Sequence, residues 1–152
     1  MATSRRLGAR RSHRLSSRVT AAGNAAKNKV TVHFIETDIL DKKALEDIPG
    51  AFDVIVSNPP YVKLSEKESM EANVLNYEPH LALFVTDSDP LIFYRSIARF
   101  GNEKLRKGGS LYFEINAQYG NEVAGLLEEE GYTDIEIIKD IPGKDRIIQA
   151  KR

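Results

Sequence analysis

The sequence predicts an α/β fold, a mainly parallel sheet closed by an antiparallel hairpin. Three observations predict it. Short β-branched runs alternate with stretches whose apolar residues recur at helical spacing, the order expected of strand–helix–strand units. The last two β-rich runs, Thr133 to Lys139 and Arg146 to Lys151, are separated by Pro142-Gly143-Lys144-Asp145, a turn between hairpin strands. One apolar run, Phe52, Val54, Ile55 and Val56, halts at Asn58-Pro59-Pro60-Tyr61. Two consecutive prolines lack the N–H that a central ladder needs, so a strand ends there and a rigid loop begins.

The elements follow in order. Residues 1–29 form a basic arm, disordered or foreign to the rest, and residues 30–152 form a partial domain. Residues 1–30 carry eight basic residues and no acid, and the remainder carries 14 basic and 22 acidic residues. The arm has too few large apolar residues to bury a core of its own. It reads as a nucleic-acid or ribosome arm, a transit peptide, or foreign sequence, and the last is favoured. Val30 to Ile35 alternates and is β-branched, which predicts a strand, with His33 packing within it. Asp41 to Ile48 reads as a short helix closed by Pro49-Gly50. The Phe52–Val56 run reads as a strand buried on both faces.

Val62 to Tyr77 is a polar loop, long enough to be a lid or substrate cradle. Ala82 to Val85 reads as an edge element. Asp87-Ser88-Asp89-Pro90 is a helix-start signal. The helix after it carries Leu91, Ile92, Tyr94, Ile97, Ala98 and Leu105, with Lys107-Gly108-Gly109 as its stop. Ser110 to Ile115 is the next strand. Asn121 to Gly131 is an amphipathic helix with Val123, Leu126 and Leu127 inward.

Composition excludes some classes. The chain has 152 residues, enough for one domain with a sizeable core. It has no cysteine, hence no disulfide or thiolate chemistry, which fits a reducing, cytoplasmic compartment. No apolar run approaches the roughly 18–20 residues of a membrane span. No metal site is assigned.

The chemistry concentrates at the proline-rich loop. Proline at 59 biases Asn58 toward an extended backbone, and the ring of Pro59 fixes its own φ. Their carbonyls are therefore not consumed by a helix and can face a cleft at the carboxyl edge of the sheet, where open α/β sheets bind ligands. Two acceptors beside the flat ring of Tyr61 suit a planar group bearing an NH2, either an amide or the exocyclic amine of a base. A plain Pro-Pro turn after a strand accounts for the same four residues without any chemistry. An acid just past a strand end, as Asp38 is, can accept from a ligand NH2 or cap the next short helix. Glu114 either faces the cleft or is bonded for structure alone.

Asn58-Pro59-Pro60-Tyr61 resembles the NPPY motif of S-adenosylmethionine-dependent methyltransferases that modify amide or exocyclic nitrogens. Three further segments are similar to the family that methylates a glutamine of peptide chain release factors: Tyr77-Glu78-Pro79-His80-Leu81-Ala82-Leu83, Glu114-Ile115-Asn116-Ala117-Gln118 and Asp140-Ile141-Pro142-Gly143-Lys144-Asp145-Arg146. The match runs in order from about Val30 to Arg152, and Ala21 to Asn28 looks like the tail of the family's helix before its third strand. The resemblance implies a Rossmann-like class I methyltransferase sheet, incomplete at its N-terminal side. It implies S-adenosylmethionine as cofactor and a release factor as partner.

By that resemblance Asn58, Pro59, Pro60 and Tyr61 are catalytic, Asp38 and Asn58 touch the cofactor, and Asn58, Pro59, Tyr61, Val62 and Glu78 touch the substrate. Asp145-Arg146 is structural. Ser88 departs from the family's usual Asp-Gly. No G-x-G-x-x-G-like turn occurs in the chain, so weak activity or none is expected of it alone. A nucleic-acid amine methyltransferase and a non-catalytic fragment that binds a protein partner are the alternatives. An exposed strand edge makes an oligomer a further expectation.

Overall fold

The computed structural model describes residues 18–63, 65 and 84–152. The chain divides into two compact units, Met1–Thr37 and Asp38–Arg152.

In the first unit, residues 18–27 form helix α1. Its C-terminus is closed by Lys29 at φ 55°, with the Lys29 amide donating to the Ala26 carbonyl (3.1 Å) and the Val30 amide to the Ala25 carbonyl (3.1 Å). This reversal satisfies two carbonyls that would otherwise lack partners. The predicted strand Val30–Ile35 does not form: residues 30–38 have no regular structure. Val30, Val32 and Ile35 are 46–56% exposed. β-branched residues favour a strand only where a partner ladder and a packing face are supplied, and here they are not.

The second unit holds helix α2 (Lys42–Glu46), β1 (Phe52–Ser57), β2 (Val62–Lys63), β3 (Phe84–Val85), helix α3 (Ile92–Lys104), β4 (Leu105–Glu114), a 3₁₀ turn (Ala117–Tyr119), helix α4 (Gly120–Glu129), β5 (Thr133–Lys139) and β6 (Asp145–Lys151). The main sheet runs β1-β4-β6-β5. β1 and β4 are parallel, and β6 is antiparallel to both β4 and β5. The parallel pair and the closing hairpin are as the sequence predicts. β2 and β3 form a separate parallel pair, Val62 with Phe84 and Lys63 with Val85.

Helix starts and stops depart from the sequence signals in two places. The Asp87–Pro90 signal does not cap α3. That helix begins at Ile92 behind Leu91, with no side-chain cap. The carboxylate of Asp89 instead accepts from Arg95 Nη1 (2.9 Å), which spends the capping oxygen on a side chain one turn into the helix. Lys107-Gly108-Gly109 does not stop α3 either, because the chain turns directly into β4 at Leu105. The two glycines serve a bulge: β1–β4 pairing jumps from Phe52↔Leu105 to Val54↔Ser110. A Cβ on Gly109 would lie 2.9 Å from the Arg106 carbonyl and 3.1 Å from that of Asp53, so only glycine lets the backbones approach.

The core lies on one side of the sheet. Leu111, Phe113 and Ile115 of β4 and its end, with Ile148 and Ala150 of β6, are wholly buried against Tyr94 and Ala98 of α3 and Val123 and Leu127 of α4. Tyr94 and Phe113 meet edge to face, with centroids 5.1 Å apart. Helix α4 ends at Gly131 (φ 87°), whose amide donates to Glu128 while that of Tyr132 donates to Leu127. The Tyr132 hydroxyl then reaches the Ala98 carbonyl of α3 (2.7 Å), beside Gly101, where any Cβ would strike the phenol. Lys104 ties α2 to α3 by donating to the carbonyls of Glu46 (3.2 Å) and Ile48 (2.8 Å).

β1 is not buried on both faces. Ile55 packs partly on the core, but Val54 and Val56 are 51% and 74% exposed. No described helix is long and apolar enough to cross a membrane.

Candidate active site

The site grows from the carboxyl end of β1. The last ladder pair is Ser57 with Phe113, after which the chain leaves the sheet as Asn58-Pro59-Pro60-Tyr61. Asn58 is exposed, Pro59 is buried, and Pro60, Tyr61 and Val62 are half-buried. The Asn58 side chain makes no hydrogen bond to another described residue, so its amide is available to a ligand. The segment after the prolines is held at three points. Val62 and Lys63 pair with β3, the Lys63 ammonium lies 5.1 Å from the centre of the Tyr119 ring, and Ser65 donates to Asp87 Oδ1 through its hydroxyl (2.6 Å) and its amide (3.2 Å). Those Ser65 bonds hold the exposed Asp87 carboxyl below its ordinary range.

Tyr61 faces the sheet. Its hydroxyl donates to Glu114 Oε1 at 3.3 Å, across 53 residues of sequence. Glu114 Oε1 lies 3.7 Å from Arg146 Nη1, and Arg146 Nη2 reaches Asp140 Oδ2 at 3.4 Å. Burial first, and then the neighbouring Glu114 charge, push the Tyr61 phenol above its ordinary value, while Arg146 opposes them. Three of the four family-like segments therefore converge in space: the proline loop, the start of Glu114–Gln118, and the Asp140–Arg146 turn.

Several members of that turn have a physical task. Asp140 accepts from the Lys144 amide (2.8 Å), Gly143 takes φ 87°, and Asp145 accepts from Lys139 (2.8 Å). The Arg146 carbonyl receives the Ile115 amide (2.9 Å). Arg146 is thus structural through its backbone, as expected, but its guanidinium belongs to the site.

A cavity of about 460 Å³ opens here. Val54, Val56, Tyr112 and Ile147 wall it, and Asn58, Glu114 and Arg146 bring polar groups to it. That volume lies within the range of small-molecule sites, roughly 300–1,000 Å³.

Asp38 lies in a turn and accepts from the Leu40 amide (2.9 Å), whereas the cap of α2 is Asp41, whose carboxylate receives the Lys43 (3.1 Å) and Ala44 (3.2 Å) amides. Asp38 therefore does not cap the helix. Glu78 lies outside the described residues, as do Tyr77 to Ala82 and most of the polar loop. Sequence reading left Glu114 open and set Arg146 aside. The signal for both was present as the two motif segments that carry them, but not as a pattern linking them to Tyr61.

Comparison with known proteins decides the family. A release factor glutamine methyltransferase from Bacteroides thetaiotaomicron is 60% identical over 102 residues, which are 67% of this chain and 37% of that protein. One from Flavobacterium psychrophilum is 49% identical over 131 residues, 86% of this chain and 45% of that protein. Over this length the chain belongs to the release factor glutamine methyltransferase family. A third member, from Lactococcus lactis, is 41% identical over 133 residues, 86% of this chain and 47% of that protein. The chain thus spans less than half the length of each of these three relatives. No family model matches it. The fold resembles that of a methyltransferase from Pyrococcus furiosus, with TM-score 0.52 at 18% identity, over 86% of this chain and 55% of that one. The family's Rossmann-like sheet is present here as its parallel β1–β4 pair and the β5–β6 hairpin.

Proposed function

We propose that this chain carries the amide-holding part of an S-adenosylmethionine-dependent enzyme that methylates the side-chain nitrogen of a glutamine in a peptide chain release factor. One observation supports the reading above the rest. The Asn58 side chain has no hydrogen-bond partner among the described residues and borders a cavity of about 460 Å³, at the carboxyl end of a parallel strand.

Asn58 and the Pro59 carbonyl accept from the two N–H groups of a glutamine amide, which turns the nitrogen lone pair toward the cavity. Tyr61 packs on the amide plane and Val62 helps wall the site; Pro60 keeps the loop extended. No strong base is needed, because positioning and exclusion of water supply most of the barrier reduction. The donor set fits the cofactor in part. Val54 and Val56 offer apolar walls, Asn58 borders the cavity, and Asp38 retains acceptor capacity beyond its Leu40 contact, since a carboxylate accepts several hydrogen bonds. Asp38 and Asn58 would hold the cofactor, which when bound supplies an electrophilic methyl group.

Calorimetric titration with a glutamine-bearing release-factor peptide, with and without S-adenosylmethionine, tests the reading. Asn58→Ala should weaken peptide binding about tenfold, the loss expected for hydrogen bonds in a half-open site. Equal binding by the variant would sink the assignment. Turnover by the chain alone should be weak or absent. Fast turnover abolished by Asn58→Ala would show that the glycine-rich turn is dispensable.

A further inference from the structure

We infer that Glu114 and Arg146 are positioning residues for the Asn58–Tyr61 loop: Arg146 orients Glu114, and Glu114 holds the Tyr61 hydroxyl. The inference concerns how the proposed amide-holding loop is set, and it rests on that reading only for its consequence, because the geometry stands by itself.

A loop with two prolines is stiff within itself, but its tilt against the sheet is a separate matter. Asn58 has no side-chain bond to another described residue, so it does not fix that tilt. Tyr61 does, through Glu114 Oε1 at 3.3 Å. Glu114 is itself fixed at both ends. Its backbone carbonyl receives the Tyr94 hydroxyl (3.1 Å) from the buried core, and its carboxylate meets Arg146 (3.7 Å). Arg146 is anchored to the hairpin by Asp140 (3.4 Å), a carboxylate already bound to the Lys144 amide (2.8 Å). A rigid turn therefore aims a guanidinium, which aims a carboxylate, which aims the phenol that ends the loop. The planar guanidinium suits this work because its donors diverge at fixed angles toward two acceptors.

The test is hydrogen exchange by NMR on the full chain, reading the amides of the β2–β3 pair that follows the loop, Val62 and Lys63, against the core amides of Leu111 and Leu127. Tyr61→Phe, Glu114→Ala and Arg146→Ala should each speed loop exchange about fivefold, the effect of one partly exposed charge-assisted bond. Core exchange should not change. Tyr61→Phe/Glu114→Ala should be no faster than the faster single variant, because both remove one contact. Glu114→Gln keeps an acceptor and should recover part of the protection, and it should bring the Tyr61 phenol titration down. Arg146→Lys guards against a turn that fails to fold.

Unchanged loop exchange in Glu114→Ala, additive pairs, or core amides that speed up in step would each overturn the inference. Peptide binding separates it from the proposed function. A wild-type chain that binds the glutamine peptide without the exchange pattern keeps the function and loses the positioning. The exchange pattern without peptide binding does the reverse.

Discussion

Phe113 and Glu114 are neighbours on β4 and live in different surroundings. Phe113 is wholly buried under α3 and α4, and Glu114 opens on the cavity side with Arg146. The same alternation repeats on β1, where Ile55 packs on the core and Val54 and Val56 face outward. Strand geometry sends successive side chains to opposite faces, so one sheet builds a packed core on one side and an open, cavity-bearing face on the other. The difference teaches where tolerance lies. The helix-covered face tolerates little change in volume, whereas the open face tolerates substitution at little cost to the fold.

The largest expected effect comes from breaking the covered face. Phe113→Ala removes a ring packed edge to face on Tyr94 and should cost about 3–5 kcal/mol. Urea unfolding would measure it, and a loss below about 1 kcal/mol would mean that this face is not the core.

A smaller effect tests the seam between α3 and the start of β5. Burial pushes the Tyr132 phenol up to about 12 from its ordinary 10.0. A raised folded value means that the unfolded chain ionises first as pH climbs. Stability is therefore full below pH 10 and declines from there toward 12. Tyr132→Phe should lower stability at neutral pH by about 1 kcal/mol, the lost bond to Ala98, and should flatten the alkaline decline. A pH series of thermal melts reads both. Equal alkaline slopes in the two proteins would refute the assignment.

The smallest effect belongs to the open face. Val56→Thr keeps the shape and should change stability by no more than about 0.5 kcal/mol. A loss as large as a core substitution's would reveal that another chain or segment covers this face in solution.

Much of the covered face was legible. Val123, Leu126 and Leu127 recur at helical spacing, and all three are buried; Gly131 marks the helix end. The hairpin followed from Pro142-Gly143 between two β-rich runs. The open face was not legible, for particular reasons. An apolar run such as Val54-Ile55-Val56 reads the same whether one or two faces are covered, since periodicity cannot register a missing layer. Val30–Ile35 has strand composition without a strand, because pairing is supplied by tertiary context. Gly108-Gly109 looked like a helix stop and serves a bulge, since both tasks ask for the same residue. In the site, the chemistry of Asn58 and Tyr61 could be argued from atom types. The partner of Tyr61 could not, because a contact across 53 residues leaves no local pattern.

The order of strands has a consequence in time. β4, α4, β5 and β6 follow one another closely and pair among themselves. β1 joins them only by closing a segment of about fifty residues, which raises the entropic cost of its pairing and slows it. Refolding is therefore expected to begin from the C-terminal third and to admit β1 late. Tyr61 can meet Glu114 only after that admission, so the Asn58–Tyr61 loop takes its final setting in the closing moments of folding.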